Sequence, residues 1–266
     1  MTFFLWGVWI VISWYILRMF LLFFLQQRII FEPSCECSLS GDDSFKEVKF
    51  FAEDGVMLSG LWLERGSDIT ILFLPGKKGN IYAYPKRLSL LREVNANVLL
   101  VDYRGYGGSG GIIKKENDLY TDGRAALDYI KKVKGISRER VVVWGLSLGG
   151  ATAIEIARRY PVEALVLEGC FFSLREIAQQ QHPFFPIKWL LKYPFESGKK
   201  LAQVIAPVLI IHSREDRVVP FEQAQKLFET AREPKKLVPI LGKHTLLESV
   251  EYETILQSVR AFLYQR

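Results

Sequence analysis

Gly145-Leu146-Ser147-Leu148-Gly149, followed by Gly150, sets a serine between glycines at G-x-S-x-G spacing. Glycine and serine are common enough that this spacing arises by chance in about one chain in ten of this length. Its surroundings make it informative. The apolar run RVVVWG leads in, and ATAIEIARRY, long enough for a helix, leads out. A strand, a sharp turn and a helix would lift the serine Oγ above a sheet, at a helix N-terminus whose dipole favours developing negative charge. Glycines suit the turn because bulk there would collide with strand and helix. The plainer alternative is a glycine-rich loop that only caps a helix through Ser147.

A serine hydroxyl needs a base to take its proton, and the base needs an acid to orient it. Three histidines are available. His244 lies in LGKHTLL, after the last strand-like run and before the closing helical segment, and is the expected base. His212 ends PVLIIH, where packing or a local hydrogen bond is expected, and His182 precedes Pro183 in an aromatic-rich interval. In HSREDRVVP, Asp216 is the expected acid, with Glu215 beside it as an alternative. The order Ser147, Asp216, His244 differs from the two common serine-protease orders. The predicted chemistry is acyl transfer without a metal or organic cofactor, since no Cys/His cluster would hold one.

These groups need a scaffold. FKEVKFF and VMLSGLWLE flank Glu53-Asp54-Gly55 as a hairpin. ITILFLP, NVLLVDY, RVVVWGL, ALVLEGC, PVLIIHS and KKLVPIL are short apolar runs suited to strands buried on both faces. Helix-length segments lie between them at 82–94, 116–134, 148–160 and 221–231, with a closing helix at 245–264. The pattern predicts an α/β domain with a mostly parallel sheet of about eight strands and helices on both faces. Residues 174–206, dense in aromatics and prolines, break the rhythm and are expected to form a lid-like insertion. One helix plus a surface loop is the alternative there.

Phe3 to Leu25 is apolar apart from Ser13 and Arg18, and as a helix it would span about 35 Å, enough for a hydrocarbon core. A basic n-region, a short apolar core and a small-residue cleavage site are missing, which disfavours a cleaved signal. A helix lying on the bilayer surface is the other alternative. The expected division is a membrane anchor at 1–28, a linker at 29–44 and a catalytic domain at 45–266. Arg18, inside the span, and Arg28, after it, lie towards its C-terminal end and favour a cytoplasmic domain in a single-pass protein. The net charge of +6 contains no Lys/Arg run, so no nucleic-acid partner is expected. Three cysteines do not make a disulfide framework. Cys35 and Cys37 are expected as unmodified linker thiols, with acylation or a bridge as the alternatives, and Cys170 as a core residue.

Asp102-Tyr103-Arg104-Gly105-Tyr106-Gly107, the GLSLGG turn and Asp216-Arg217-Val218-Val219-Pro220 together resemble the α/β-hydrolase superfamily, and within it the membrane-anchored Bem46-like and ABHD-type hydrolases. The resemblance covers residues 45–264. It implies an α/β-hydrolase fold, a structural role for Asp102 and Arg104 in bracing the loop after the fourth strand, and an oxyanion hole built from backbone N–H groups. Those donors would be Leu148 and Lys77. Here the chain departs from the family pattern His-Gly-Asn-x-Gly-Asn, reading Pro75-Gly76-Lys77-Lys78-Gly79-Asn80. Main-chain donors survive such side-chain changes. Lys77 and Lys78 could favour an anionic ester, with solvent-facing lysines on a loop rim as the plainer reading. A serine at position 147 sets the chain apart from relatives with an aspartate nucleophile. The expected substrate is a carboxylic ester or thioester, with a lipid or acylated molecule in view; a serine peptidase and a non-catalytic membrane scaffold are the rivals.

Overall fold

A computed structural model of the chain describes residues 2–34, 44–244 and 252–264. Cys35, Cys37, most of the expected linker and the first part of the expected closing helix lie outside the described residues. The main sheet has eight strands. They are β1 (Lys46–Phe51), β2 (Met57–Leu63), β3 (Thr70–Leu74), β4 (Asn97–Val101), β5 (Val141–Leu146), β6 (Ala164–Glu168), β7 (Val208–Ser213) and β8 (Lys235–Ile240). Their spatial order is β1-β2-β4-β3-β5-β6-β7-β8. β1 and β2 form the expected hairpin, and β2 also runs antiparallel to β4; every other pairing is parallel. Gly55 makes the hairpin turn with φ 80°.

Alternation along the strands splits the core in two. Leu72, Leu74, Val143, Leu165 and Ile210 point to one face, against helices α3 (Glu116–Lys132), α4 (Gly149–Arg159) and α8 (Phe221–Thr230). Ile71, Phe73, Val142, Trp144 and Ile211 point to the other, against α2 (Pro85–Glu93) and α9 (Tyr252–Tyr264). Two-sided burial explains why these strands read as near-continuous apolar runs. β4 lies on one side of β3 and β5 on the other, so their connections leave in opposite directions. The crevice that this switch opens at the strand carboxyl ends is where ligands bind in open α/β sheets. The loop after β3 and the turn after β5 both end there.

The interval 174–206 divides in two. Helices α5 (Leu174–Gln181) and α6 (Ile187–Leu190) stand over the crevice. Helix α7 (Ser197–Leu201) belongs to the helical layer, because Leu201 and Val204 are buried in the core beside α4. Helix α1 (Thr2–Ile30) is one continuous helix, long and apolar enough over Phe4–Ile30 to span a membrane. Residues 29–34, expected within the linker, are instead docked. Phe31 is buried edge-on to Tyr193 at 5.1 Å, and Glu32–Pro33 pairs in parallel with Lys78–Gly79.

Candidate active site

Ser147 occupies the turn between β5 and α4 with φ 51°, a region few residues other than glycine adopt. Its N–H donates to Glu168 O at 2.8 Å, tying the turn to the end of β6. The flanking glycines are sterically required. A Cβ on Gly149 would sit 2.1 Å from Leu74 O, one on Gly145 2.5 Å from Gly150 Cα, and one on Gly150 2.2 Å from Cys170 Sγ. Cys170 is therefore a buried core residue, as expected, and burial pushes its thiol up and out of the reactive range.

The loops after β7 and β8 bring the other two groups to this turn. Ser147 Oγ lies 2.8 Å from His244 Nε2, and His244 Nδ1 lies 2.6 Å from Asp216 Oδ2. The other Asp216 oxygen accepts the N–H groups of Val218 and Val219, each at 2.8 Å. Burial alone would raise the Asp216 carboxyl, but the hydrogen bond and charge of His244 and the two N–H donors hold it below the usual carboxylate range. It is thus an ionised acceptor, suited to fix the imidazole with Nδ1 protonated and Nε2 free to accept from the serine. Glu215, the alternative acid, accepts the Gly242 N–H at 3.0 Å and braces the loop that carries His244.

Of the remaining histidines, His212 stands behind the acid, its Nε2 3.5 Å from Asp216 Oδ2, and His182 lies at the end of α5. His212 is fully buried and donates from Nε2 to Val219 O at 2.8 Å, and burial lowers its pKa so that it packs uncharged. His182 ends α5, with its backbone N–H on Ala178 O and its ring edge-on to Phe185.

The two expected oxyanion donors, Leu148 and Lys77, both line the cleft at Ser147. Neither amide N–H donates to an acceptor among the described residues. Lys77 is held by its own carbonyl, which accepts from Glu32 N–H at 2.9 Å and Tyr106 Oη at 2.8 Å. Asp102 fixes the far side of the same loop by accepting Ile81 N–H at 2.8 Å. Arg104 bonds Asp122 at 2.7 Å and Asp54 at 2.7 Å. The DYRGYG stretch therefore braces both its own loop and the one that carries Lys77. The Lys77 ammonium pairs with Glu32 at 2.7 Å and points at the end of α1, whereas Lys78 is exposed at the cleft rim.

Two features escaped the sequence reading. Arg87 and Glu168 form a fully buried ion pair behind the elbow, with Trp144 Nε1 donating to Glu168 at 3.0 Å and the guanidinium over the Phe73 and Trp144 rings. The only sequence signal is an arginine on the apolar face of α2. Gly169 takes a left-handed backbone conformation, φ 59°, beside the His244 ring, whose Cε1 lies 3.5 Å from where a Cβ would stand, so the backbone rather than space calls for glycine there.

The cleft has a volume of about 1680 Å³ and is roofed by α5, α6 and the last turns of α1. An eight-stranded α/β sheet with a strained serine turn, a histidine and an aspartate at its carboxyl edge defines the class of α/β hydrolases. The family described as serine aminopeptidase S33 (Hydrolase_4) matches residues 66–195. Rv2307c, an uncharacterised protein of Mycobacterium tuberculosis H37Rv, is 32% identical over 245 residues, covering 90% of this chain and 87% of the relative. The α/β hydrolase domain-containing protein WAV2 of Arabidopsis thaliana is 29% identical over 211 residues, covering 70% and 67%. Among solved structures, the Pyrococcus furiosus esterase Pf2001 superposes with a TM-score of 0.75 at 22% identity, covering 89% of this chain and 99% of that one. The chain belongs to the α/β-hydrolase superfamily.

Proposed function

We propose that this protein is a membrane-anchored serine hydrolase that cleaves carboxylic esters or thioesters through an acyl-enzyme. The observation that carries the reading is the unbroken hydrogen-bonded run from Ser147 through His244 to an ionised Asp216 at the floor of a large cleft. His244 takes the Ser147 proton as the oxygen attacks the carbonyl carbon. The oxyanion receives the Leu148 and Lys77 N–H groups, which have no other acceptor among the described residues. His244 then returns the proton to the leaving alcohol or thiol, and deprotonates the water that releases the acid. Asp216 stabilises the imidazolium in both halves.

Helix α1 is the proposed single-pass anchor, and Arg18 and Arg28 favour a cytoplasmic catalytic domain. Lys78, Lys86, Arg217 and Lys243 stand exposed around the mouth with no ion pair among the described residues, which favours an anionic group on the substrate. Lys77, spent on Glu32, contributes only its backbone. Peptide hydrolysis is the second reading, favoured by the description of the matching family.

The test is hydrolysis of p-nitrophenyl esters, neutral and carboxylate-bearing, beside aminoacyl p-nitroanilides. Wild type should turn over the esters, and Ser147→Ala should lose roughly 10⁴-fold or more. Equal turnover by Ser147→Ala contradicts the mechanism. Turnover of anilides ahead of esters favours the peptidase, and turnover of neither favours a scaffold.

A further inference from the structure

The residues of α1 that approach the domain are Tyr15, Met19, Leu22, Phe23, Gln26 and Ile30, spaced as one helical stripe, while Leu21, Phe24 and Leu25 are exposed. Gln26 is buried and makes a two-sided clamp, donating to Leu190 O at 3.1 Å and accepting Lys192 N–H at 2.7 Å. Higher on the helix, Tyr15 stacks on Phe185 at 4.9 Å and donates to Phe184 O at 2.9 Å. The α5–α6 roof therefore runs alongside the apolar helix from Tyr15 to Ile30, about 22 Å of its length. It presents Phe184 (85% exposed) and Trp189 (79%) to the surroundings. Lipid on that side of α1 would also meet the roof.

The cleft at Ser147 reaches the same seam. Its apolar wall joins Leu22 and Ile30 of α1 to Leu174, Ile177, Leu190 and Leu191 of the roof. The volume of about 1680 Å³ exceeds the roughly 300–1,000 Å³ typical of a small-molecule pocket. A groove with one wall made of a membrane-length helix and the other of an apolar roof suits a long unbranched acyl chain. Its other end meets the exposed cations at the rim, where a polar head group would stay in water.

We infer that the domain-facing stripe of α1 is part of the substrate site: it forms one wall of a channel along which the acyl chain of a bilayer ester reaches Ser147. This rests on the esterase reading above, and it makes the anchor a determinant of chain length as well as of location.

Leu22→Trp would fill the channel, Ile30→Trp is the second variant should the first fold poorly, and Leu25→Trp on the exposed face is the control. With the full chain in lipid nanodiscs, the ratio of p-nitrophenyl dodecanoate to acetate turnover should fall about tenfold in Leu22→Trp and Ile30→Trp, and stay within about twofold of wild type in Leu25→Trp. An unchanged ratio in both channel variants, or an equal fall in the control, overturns the inference. A second measurement is independent of catalysis. A dodecanoate with a terminal diazirine, photolysed with Ser147→Ala protein, should label the 174–191 segment; Leu22→Trp should abolish that label and Leu25→Trp should keep it. Absence of label there while wild type hydrolyses esters overturns the channel alone. Label without Ser147-dependent hydrolysis overturns the esterase reading alone.

Discussion

The floor and the roof of the cleft are built on different principles. The floor is fixed by main chain: the Ser147 amide is held by Glu168 O, three glycines pack against backbone or Cys170, and the strands beneath are buried on both faces. The roof is held by a few side-chain contacts, with Ile177 as the buried residue of α5 and Ile187 of α6, and with Gln26 and Tyr15 reaching across from α1. Chemistry demands fixed geometry, so it sits on the main-chain-anchored floor. Selection among substrates needs only a replaceable wall. Variants in the floor should therefore damage the whole molecule, and variants in the roof should change local opening and substrate selection while leaving global stability intact.

The largest effect is expected at Glu168. Truncation to alanine leaves Arg87 buried and unpaired beside Trp144, a loss of about 3–5 kcal/mol that urea unfolding of the full chain in detergent would measure. A loss as small as that of an exposed pair would mean the floor is less closed than described. Asp102→Asn sharpens the point through pH. Burial pushes the Asp102 carboxyl up to about 7 from 3.8, so the folded protein binds its proton more tightly than the unfolded chain between those values. Stability should fall as pH rises from about 4 to 7 and level off above. The asparagine variant should flatten that fall while keeping an acceptor for Ile81 N–H. A parallel pH profile in both proteins would contradict it.

The smallest effect is expected in the roof. Gln26→Ala leaves Leu190 O and Lys192 N–H without their partner, and should raise amide exchange at Lys192 by about tenfold. Exchange in β5 and α4 should stay unchanged. Equal loosening of both regions would erase the distinction between floor and roof.

The same division explains what the sequence made legible. Two-sided strands, the hairpin and the glycine-bounded turn are local patterns, and they predict the sheet and the position of Ser147. His244 followed from having few histidines and one suitable loop. Asp216 was the expected acid with Glu215 left open beside it, and only the folded turn decides between adjacent residues by aiming Asp216 at the ring. The docking of residues 29–34 was hidden as well: Glu32-Pro33-Ser34 is polar and turn-like in isolation, and its partner strand at Lys78–Gly79 lies far along the chain. Nothing local distinguishes α7 from the lid, because its burial depends on α4. Arg87 and Glu168 were missed for the same reason, since each looks like an ordinary charged residue until the fold closes around the pair.

The most direct test of the account is the site and dependence of covalent labelling by a fluorophosphonate, located by mass spectrometry of digested protein. Wild type should carry a single adduct on Ser147, and His244→Ala, which removes the base, should carry almost none in the same time. An adduct elsewhere, or equal labelling without the imidazole, would contradict a serine activated by His244.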